Sequence, residues 1–531
     1  MRLEGFYVQF SPVIDSAQNL RLHALHRRLR EQIPDGVTEL QPGYGNLYVE
    51  FDAERLRREE VQEWVRRALA SLPATAGAEG RQVEIPVRYD GEDLPDVATR
   101  TGLTPAEVIR RHSGADYHVY ALGFTPGFPF LGEVDPALRL PRRDTPRAQV
   151  PFNAVAIAQA QSCVYALPSP GGWNLLGTAL TLLYDPNRAG PFLLAPGDRV
   201  RFVPAEGATP TLPAVRELWP ARPHTPILEV VRPGLLDVLV DGGRFHQAHT
   251  GMARSGPLDA PAADNANRSA GNPPGTPLLE LTLLGPVLRA LRSVTVGIAG
   301  QGMTPLVDGQ PVPEAGRVRL REGQVLSFAP SPVGVRAYLA VAGGVQTVPF
   351  LGSSSVDRTG LIGRPLARGD VLGAAGLDAG APLRPSAPEP GDRAEGRSGV
   401  VTLRLRPGPQ ASLEALRALA DGVFTVGTQD RMGVRFEGPP VPGGQVVSEG
   451  TPHGAVQVTP AGQPILLLND RGRIGGYHKP AVLHPDDLPR AAQLRPNQRV
   501  RFQPFVSGPP DTWAAPWFLP ALPHSPEGSS Q

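Results

Sequence analysis

Glycine and proline constrain this chain most, since 60 glycines and 61 prolines occur among its 531 residues. Together they interrupt long helices and favour short strands joined by tight turns. Hydrophobic residues make up 41% of the sequence, which is enough to form real cores on a chain of this length. At about 150 residues per domain we expect three or four domains, and the composition predicts that they are mainly β.

The charges nearly cancel, because 52 basic and 51 acidic side chains leave a formal net charge of +1. A chain without a field of one sign is poorly suited to nucleic acid or an anionic membrane surface, so we expect neither as a partner. No apolar run approaches the about 20 residues of a membrane span, and the start of the chain lacks the apolar core of a secretion signal. The single cysteine, Cys163, excludes an internal disulfide framework and predicts a cytoplasmic location.

Lysine usage excludes several enzyme classes. Of the 52 basic residues 51 are arginine, and the one lysine is Lys479, between His478 and Pro480. The chain therefore lacks a Walker A loop, the lysine of a biotin-carrier motif and a Ser-Ser-Lys amidase centre, and a pyridoxal-phosphate enzyme would have to use Lys479. Arginine takes the place of lysine almost everywhere else in this chain, so a lysine at position 479 indicates that its ammonium contacts a phosphate or changes its protonation state. The alternative is that, by chance, this one lysine was not replaced.

The order of the predicted elements divides the chain. Two strands alternating with two helices, and a further strand at 82–89, predict a ferredoxin-like α+β domain at the N-terminus. A turn followed by an alternating strand that ends at proline occurs at 196–204, 322–330 and 496–504, which predicts three related β-domains. Closed barrels are favoured because closure removes exposed strand edges. The predicted divisions are an α+β domain at 1–85, a barrel at 86–204, a linker at 205–226, a barrel at 227–375, a linker at 376–398, a barrel at 399–506 and a Pro/Ser-rich tail at 507–531.

Three segments of the first half suit a small-ligand pocket. The segment 123–132 alternates aromatic residues with glycine and proline, which is typical of a rigid pocket wall or of a tightly anchored loop. Arg142 and Arg147 are held among prolines and could clamp a carboxylate or phosphate, or could belong to a solvated loop. Trp173 follows two glycines and could stack on a flat group. His112 is a further candidate, although a histidine at a helix end more often caps or packs.

The densest set of polar residues lies between 428 and 479. Polar side chains at strand ends around a barrel mouth converge on one point, so we expect a site there. Glu280, inside an apolar run, is a second candidate for a buried functional carboxylate. The candidates in the dense set are Asp430, Arg431, Glu449, Gln457, Asp470, Tyr477 and Lys479.

Motifs in both halves resemble those of two known families. The segments 123–132, 141–147 and 170–177 are similar to the allophanate hydrolase subunit 1 (KipI) family. Several segments of the second half, including 430–433, 448–450 and 475–479, are similar to the allophanate hydrolase subunit 2 (KipA) family. The resemblance covers about 1–204 and 227–505, so the chain resembles a fusion of the two. One departure is Gly472-Arg473-Ile474, which stands where the family usually has Gln-Thr-Thr.

The resemblance implies cyclophilin-like barrels, one in the first half after the α+β domain and two in the second. It also implies the ATP-dependent opening of 5-oxoproline to glutamate, with the halves corresponding to the B and C subunits of a 5-oxoprolinase. The implied partner is a separate A subunit of the LamB/YcsF family. ATP is the expected cofactor, with Mg²⁺ wherever ATP reacts. Three questions stay open: whether protein side chains hold a metal, which half binds ATP, and whether the chain is a homo-oligomer.

These implications lead to a hypothesis about residue roles. A five-membered lactam is a poor electrophile, so once ATP has activated it the protein must position it and stabilise charge. Arg142 and Arg147 are expected to clamp an anion, and Asp430 to form an ion pair with Arg431. The remaining assignments are Glu449 or Asp470 as metal ligand or base, Lys479 as a phosphate contact, and His112, Trp173, Gln457 and Tyr477 as substrate contacts.

Two alternatives come from the same resemblance. The first is a protein related to urea carboxylase or allophanate hydrolase, which the missing biotin lysine and amidase centre disfavour. The second is a regulator of a histidine kinase, since KipI-like and KipA-like chains also include such proteins. Fusion of the two halves favours a stable enzyme component over a reversible pair of regulators.

Overall fold

The computed structural model describes residues 1–73, 80–376, 399–505 and 515–521. These residues form two closed seven-stranded barrels, open sheets of six and five strands, a four-stranded sheet and two two-stranded sheets. The predicted mainly-β class is confirmed. Within the described ranges, no helix is long and apolar enough to cross a membrane. Most of the predicted linker at 376–398 and of the tail at 507–531 lies outside the described residues.

The N-terminal unit packs two helices against an antiparallel sheet. Strand β1 pairs with β3 from Leu3 opposite Asp52 to Gln9 opposite Asn46, and β3 pairs with β2 on its other side. Helix α1 begins after Asp15, whose carboxylate accepts the backbone N–H of Gln18. The elements are β1 (Leu3–Gln9), α1 (Ser16–Glu31), β2 (Val37–Pro42), β3 (Asn46–Asp52) and α2 (Arg58–Ala70).

A closed barrel follows, with the strand order β11-β4-β12-β5-β6-β9-β8. Helix α4 begins after Thr104, whose hydroxyl accepts the N–H of Glu107 at 3.3 Å and so caps the helix. The elements are β4 (Gln82–Arg88), α3 (Leu94–Thr101), α4 (Pro105–Ser113), β5 (Asp116–Leu122), β6 (Pro129–Gly132), β7 (Arg147–Val150), β8 (Ala154–Ala158), β9 (Gln161–Val164), β10 (Ser169–Gly171), β11 (Asn174–Ala179) and β12 (Arg199–Pro204).

The ferredoxin-like arrangement is not confirmed, because its predicted last strand at 82–89 is β4 of this barrel. Ile85 and Val87 of β4 are fully buried in the barrel core, and β4 pairs in parallel with β12. In the barrel β4 has a hydrogen-bonded neighbour along both edges, β11 and β12, which the edge position of a small sheet would not give it.

The middle unit consists of two open sheets, so the predicted third closed barrel is not confirmed. Helix α5 lies on the five-stranded sheet so closely that a Cβ at Gly297 would be 2.0 Å from the carbonyl oxygen of Ala266. A sheet whose face is covered by a helix buries that face without closing. The elements are β13 (Pro226–Arg232), β14 (Leu236–Val240), α5 (Ala260–Ala270), β15 (Leu278–Thr282), β16 (Val287–Ala290), β17 (Val294–Gly300), β18 (Met303–Val307), β19 (Gln310–Pro311), β20 (Gly316–Leu320), β21 (Val325–Pro330), β22 (Arg336–Val341) and β23 (Val371–Gly373).

The C-terminal barrel has the strand order β24-β31-β28-β29-β26-β25-β32, while β27 and β30 form a separate pair. A last strand, β33, returns to the N-terminal unit and pairs in parallel with β1. The elements are β24 (Val401–Pro407), α6 (Leu413–Asp421), β25 (Val423–Gln429), β26 (Gly433–Glu437), β27 (Gln445–Gly450), β28 (Ala455–Val458), β29 (Pro464–Leu467), β30 (Ile474–Tyr477), β31 (Ala481–Leu483), α7 (Leu488–Ala492), β32 (Arg499–Pro504) and β33 (Phe518–Pro520).

Candidate functional site

A polar seam joins the C-terminal barrel to the N-terminal and middle units. The chain from Asn469 to Arg473, which follows β29, supplies most of the barrel's contribution. Facing it are strands β2 and β3 of the N-terminal unit and the segment 254–257 that precedes α5. Three groups of buried charged residues lie along this seam.

The first group is centred on Glu280, as the sequence predicts for a carboxylate within an apolar run. Its Oε2 accepts the hydroxyl of Tyr338 at 2.8 Å, and its Oε1 accepts Nη1 of Arg431. Arg336 lies on the same carboxylate, with Nε at 3.8 Å. We call Glu280, Arg336, Tyr338, Arg431 and Asp470 the Glu280 cluster.

Arg431 connects the two carboxylates of this cluster. Its Nε donates to Oδ2 of Asp470 at 2.9 Å, and its Nη2 donates to the carbonyl of Gly256 at 2.6 Å. Burial raises the pKa of Glu280, but Arg431 and Arg336 outweigh it and hold that pKa below its ordinary value. Burial raises the pKa of Asp470 to about 6, with Arg431 opposing the rise. Asp470 can therefore exchange a proton near neutral pH.

Asp430 does not pair with Arg431, contrary to the prediction. Its Oδ1 accepts the backbone N–H groups of Met432 at 2.7 Å and Gly433 at 3.0 Å, and the residue is exposed. An aspartate that accepts backbone N–H groups two and three residues ahead stabilises its own turn. Arg431 pairs instead with Glu280 and with Asp470, which follows β29.

The second group contains the single lysine. Lys479 is fully buried, and its Nζ lies 2.8 Å from Oε1 of Glu449. Gln410 donates to the same oxygen at 2.8 Å, while Asn46 of the N-terminal unit donates to Oε2 at 2.8 Å. The Lys479–Glu449 pair therefore also holds the N-terminal unit against the C-terminal barrel.

Gln457 and Tyr477 lie beside this pair. Gln457 is buried under β30, where a Cβ at Gly475 would be 2.6 Å from its Nε2. Tyr477 is half-buried, and its backbone carbonyl accepts Nζ of Lys479 at 3.4 Å. The structure thus brings together Glu449, Gln457, Tyr477 and Lys479, and joins Arg431 with Asp470 a short distance along the seam.

Of the two arginines of the predicted anion clamp in the first half, Arg147 is already paired with protein carboxylates. Arg147 donates from Nη2 to both oxygens of Asp93 at 2.8 Å and from Nε to Glu92 at 2.6 Å. These acidic partners raise the pKa of Arg147 against the effect of burial, so it stays charged. Arg142 is exposed and lies over the buried ring of Trp173, 5.9 Å from its centroid. Of the two arginines, only Arg142 has a guanidinium that faces solvent.

His112 lies in the core of the first barrel. Its Nδ1 is 2.8 Å from the hydroxyl of Tyr89, its Nε2 is 3.0 Å from that of Ser162, and its ring stacks on Phe202. Burial lowers its pKa to about 3. The contacts are those of a packed, neutral histidine, which is the alternative that its position at a helix end favours.

The third group was not predicted from the sequence. Arg473 Nη2 lies 2.9 Å from Glu39, while Arg471 and Arg254 lie 3.4 and 3.5 Å from Glu50. All five residues are at most 4% exposed at their side chains. Glu50 stands within the apolar run 47–51, so the criterion that selects Glu280 would also have found it, whereas Glu39 stands in no such run and carries no such signal. We call these five residues the arginine cluster.

The arginine cluster carries an excess of positive charge, with three guanidiniums against two carboxylates. Burial raises the pKa of Glu39 to about 7, although Arg473 opposes it. Burial also raises the pKa of Glu50, but Arg254 and Arg471 reverse the effect and hold it below its ordinary value. Nη1 of Arg473 is buried without a hydrogen-bond partner. Glu50 is therefore ionised, while Glu39 titrates near neutrality.

The glycine-rich segment 123–132 closes one end of the seam. A Cβ at Gly123 would be 2.6 Å from Cγ1 of Ile474, and a Cβ at Gly251 would be 2.6 Å from the carbonyl oxygen of Thr125. The first barrel therefore touches the chain directly after Arg473 and three residues before Arg254. Glycine at these positions is what allows the backbones to approach.

Comparison with known proteins places this architecture in the carboxyltransferase-domain class. The model for subdomains C and D of that domain matches residues 2–194, and the model for subdomains A and B matches residues 250–504. The two matches follow one another along the chain. The pairs Glu39–Arg473, Glu50–Arg471 and Asn46–Glu449 of the seam join them, while the Glu280 cluster lies within the second match.

Individual relatives identify the two halves. The first half is 40% identical over 204 residues to the 5-oxoprolinase B subunit of Escherichia coli O157:H7, covering 37% of this chain and 90% of that protein. The second is 32% identical over 291 residues to the 5-oxoprolinase C subunit of Escherichia coli strain K12, covering 52% and 90%. The crystal structure of TTHA0988 is 50% identical, with a TM-score of 0.88 over 94% of this chain and 100% of that one. The chain belongs to the family that comprises the B and C subunits of 5-oxoprolinase, and it joins both in one polypeptide.

Proposed function

We propose that this chain is the B–C component of an ATP-dependent 5-oxoprolinase that opens 5-oxo-L-proline to L-glutamate together with a separate A subunit. The relatives named as B and C subunits support the reaction. The observation that carries the proposal is the seam, where residues of the B-like half are buried against the C-like half. Glu39 meets Arg473, Glu50 meets Arg471, and Asn46 meets Glu449.

The chemistry explains why such a seam is useful. ATP would supply a phosphoryl group that activates the amide oxygen of the lactam, after which water attacks the ring carbon. In the described part of the chain no three His, Cys, Asp or Glu side chains are grouped to hold a metal ion, so these residues alone do not fit a Mg²⁺ site. The chain's contribution is to bind the lactam, to position it and to move protons in a site shielded from bulk water.

Asp470 is the proposed general base of this component. Its pKa of about 6 leaves it mostly ionised at neutral pH yet able to accept a proton, and Arg431 fixes its orientation through two contacts. Lys479 is proposed as a positioning residue, because its ammonium is already paired with Glu449. A phosphate could contact Lys479 only where it replaces that carboxylate.

Reconstitution tests the proposal. Purified chain, the separate A subunit, ATP and 5-oxoproline are combined, and glutamate and ADP are measured in the full mixture and with each component omitted. We expect both products only in the full mixture. Asp470→Asn should lower glutamate formation at least tenfold, while Asp421→Asn, at the exposed end of α6, should not change it. Consumption of a urea-derived amide without glutamate, or inhibition of a histidine kinase without turnover, would contradict it.

A further inference from the structure

A cavity of about 250 Å³ lies where the N-terminal unit, the C-terminal barrel and the last strand meet. Strands β1 and β3 form one side, and the ends of β24 and β31 form the other. The volume is just below the about 300–1,000 Å³ of typical ligand pockets, so it suits a compact molecule. None of the residues predicted as site residues lines it.

Two carboxylates line this cavity, and each is shared by two arginines. Glu4 lies 3.1 Å from Arg58 and 3.2 Å from Arg406, both of which also line the cavity. Glu50 is bound from behind the cavity wall by Arg254 and Arg471 of the arginine cluster. Among the lining side chains two guanidiniums balance two carboxylates, and the two positive charges in excess belong to Arg254 and Arg471 behind the wall.

The protonation states of neighbouring groups agree with this count. Burial raises the pKa of Glu4, but Arg406 and Arg58 outweigh it, so the pKa lies below its ordinary value as it does for Glu50. Burial and then the charges of Arg254 and Arg471 hold the pKa of His453 well below its usual range, so this lining residue is neutral. The wall thus combines arginine charge with a neutral imidazole ring.

The rest of the cavity is apolar and is closed by the last strand. Trp517 lines it and is held by a hydrogen bond from its Nε1 to the carbonyl of Pro407 at 3.0 Å. Phe518 stacks on Tyr7 with ring centroids 5.6 Å apart. Arg58 donates to the carbonyl of Pro516 at 3.0 Å, which connects the charged wall to this closing segment.

We propose that this cavity binds a compact monocarboxylate of the 5-oxoproline kind, with its carboxylate at Arg58 and Arg406 and its ring against Trp517. The inference rests on the proposed function for the identity of the ligand. It assigns a binding site apart from Asp470, the proposed general base, which does not line the cavity. A single negative charge partly neutralises the surplus, and a flat ring suits the apolar wall.

Direct binding to the full chain tests this without ATP or the A subunit. The chain is titrated with 5-oxoproline, with 2-pyrrolidone, which has the ring but lacks the carboxylate, and with inorganic phosphate, by calorimetry and by tryptophan fluorescence. We expect saturable binding of 5-oxoproline and at least tenfold weaker binding of 2-pyrrolidone, because a charge-assisted pair is lost. Equal binding of both lactams, or binding of phosphate alone, would overturn the proposal.

Charge variants of opposite sign separate a binding role from a structural one. Arg406→Gln should weaken 5-oxoproline binding at least tenfold, and Glu4→Gln should strengthen it about threefold or more by removing a competing carboxylate. The matched control is Arg404→Gln, two residues earlier on β24, which pairs with Asp487 and should bind within twofold of the parent. If Arg406→Gln does not fold, Glu4→Gln decides, and unchanged or weaker binding in that variant would overturn the proposal.

The outcomes for the cavity and for the proposed function are distinguishable. A chain that binds 5-oxoproline here, yet yields no glutamate with ATP and the A subunit, would contradict the proposed function and leave the cavity as a carboxylate site. Glutamate formation with an unchanged KM for 5-oxoproline in Arg406→Gln would overturn the cavity proposal and leave the function standing.

Discussion

The two closed barrels have the same construction but different surroundings. In each, the last strand pairs in parallel with the first and antiparallel with the next, through β12 with β4 and β5 and through β32 with β24 and β25. The candidate residues of the first barrel are satisfied within the first half, as Arg147 is by Asp93 and His112 by Ser162. Those of the C-terminal barrel reach other units, as Arg431 reaches Glu280.

This difference shows that the barrel itself does not specify a site. One topology holds a packed histidine in one copy and an interface of charged groups in the other. Function in this chain should therefore follow the seam rather than the barrel, and each prediction below tests that contrast.

Removing the central carboxylate should have the largest effect. Glu280→Ala leaves Arg431 and Arg336 buried without their shared partner, which should lower the free energy of unfolding by about 3–5 kcal/mol. Urea unfolding measures the change. Glu229→Ala removes a surface pair with Arg289 and should change stability by less than about 1 kcal/mol. A small effect of Glu280→Ala would mean that the seam is not held by this cluster.

Mild acid should destabilise the first half more than the C-terminal barrel. Burial lowers the pKa of His23, His112 and His249 to about 3 and that of His118 to about 4, below the 6.5 of an exposed histidine. Their stabilising contribution is complete above pH 6.5 and is lost as the pH falls towards 3. At pH 5 each should lower stability on the order of 2 kcal/mol.

Unfolding at pH 7 and pH 5, monitored by amide hydrogen exchange, locates the loss. We expect protection to fall first in α1 and the first barrel, where His23, His112 and His118 lie, and at His249 in the middle unit. If the C-terminal barrel loses protection first, His453, whose pKa burial also holds well below its usual range, governs acid sensitivity instead of the histidines of the first half.

Replacing the single lysine with arginine should destabilise the seam while keeping a positive charge in it. Lys479→Arg places a larger planar group where the side chain is fully buried, and overpacking of this kind lowers stability by about 1–3 kcal/mol. Glutamate formation should fall with it, because Glu449 and Asn46 share the same contact network. Arg435→Lys, on an exposed position of β26, is the control. Wild-type turnover and stability in Lys479→Arg would refute the positioning role.

Local features of the fold could be predicted from the sequence because they depend on neighbouring residues. Short patterns predict the cap at Thr104 and the strands that end at Pro204 and Pro504, and these two strands occupy equivalent positions in the barrels. The third related strand, which ends at Pro330, belongs to an open sheet instead. A strand pattern therefore predicts the strand but not whether its sheet closes.

The partners of the site residues could not be predicted, because they are far apart in sequence. Asn46 and Glu449 are 403 residues apart, and Arg431 and Glu280 are 151 apart, so nothing local distinguishes Asp470 from Asp430 as the partner of Arg431. Arg473 is instructive because it departs from the family pattern yet is buried against Glu39. This departure from the pattern contributes a charge to the seam.

Replacing the packed histidine should separate stability from activity. His112→Phe keeps the stacking on Phe202 but leaves the hydroxyls of Tyr89 and Ser162 without this partner, which should lower stability by about 1–2 kcal/mol. Glutamate formation per folded molecule should stay the same, and the loss of stability between pH 7 and pH 5 should shrink. A fall in turnover at full folding would show that the first barrel takes part in the reaction.

The smallest effect is expected at the exposed arginine of the first half. Arg142→Gln removes a guanidinium that lies over Trp173, and stability should change by no more than about 0.5–1 kcal/mol because such exposed contacts are weak. If the reaction belongs to the seam, the KM for 5-oxoproline should not change either. A raised KM with unchanged kcat would instead show that the loop binds substrate, since lost ground-state binding affects KM alone. Measuring 5-oxoproline binding to Arg142→Gln and Arg406→Gln under the same conditions therefore decides whether the loop of the first half or the cavity between the two halves holds the carboxylate.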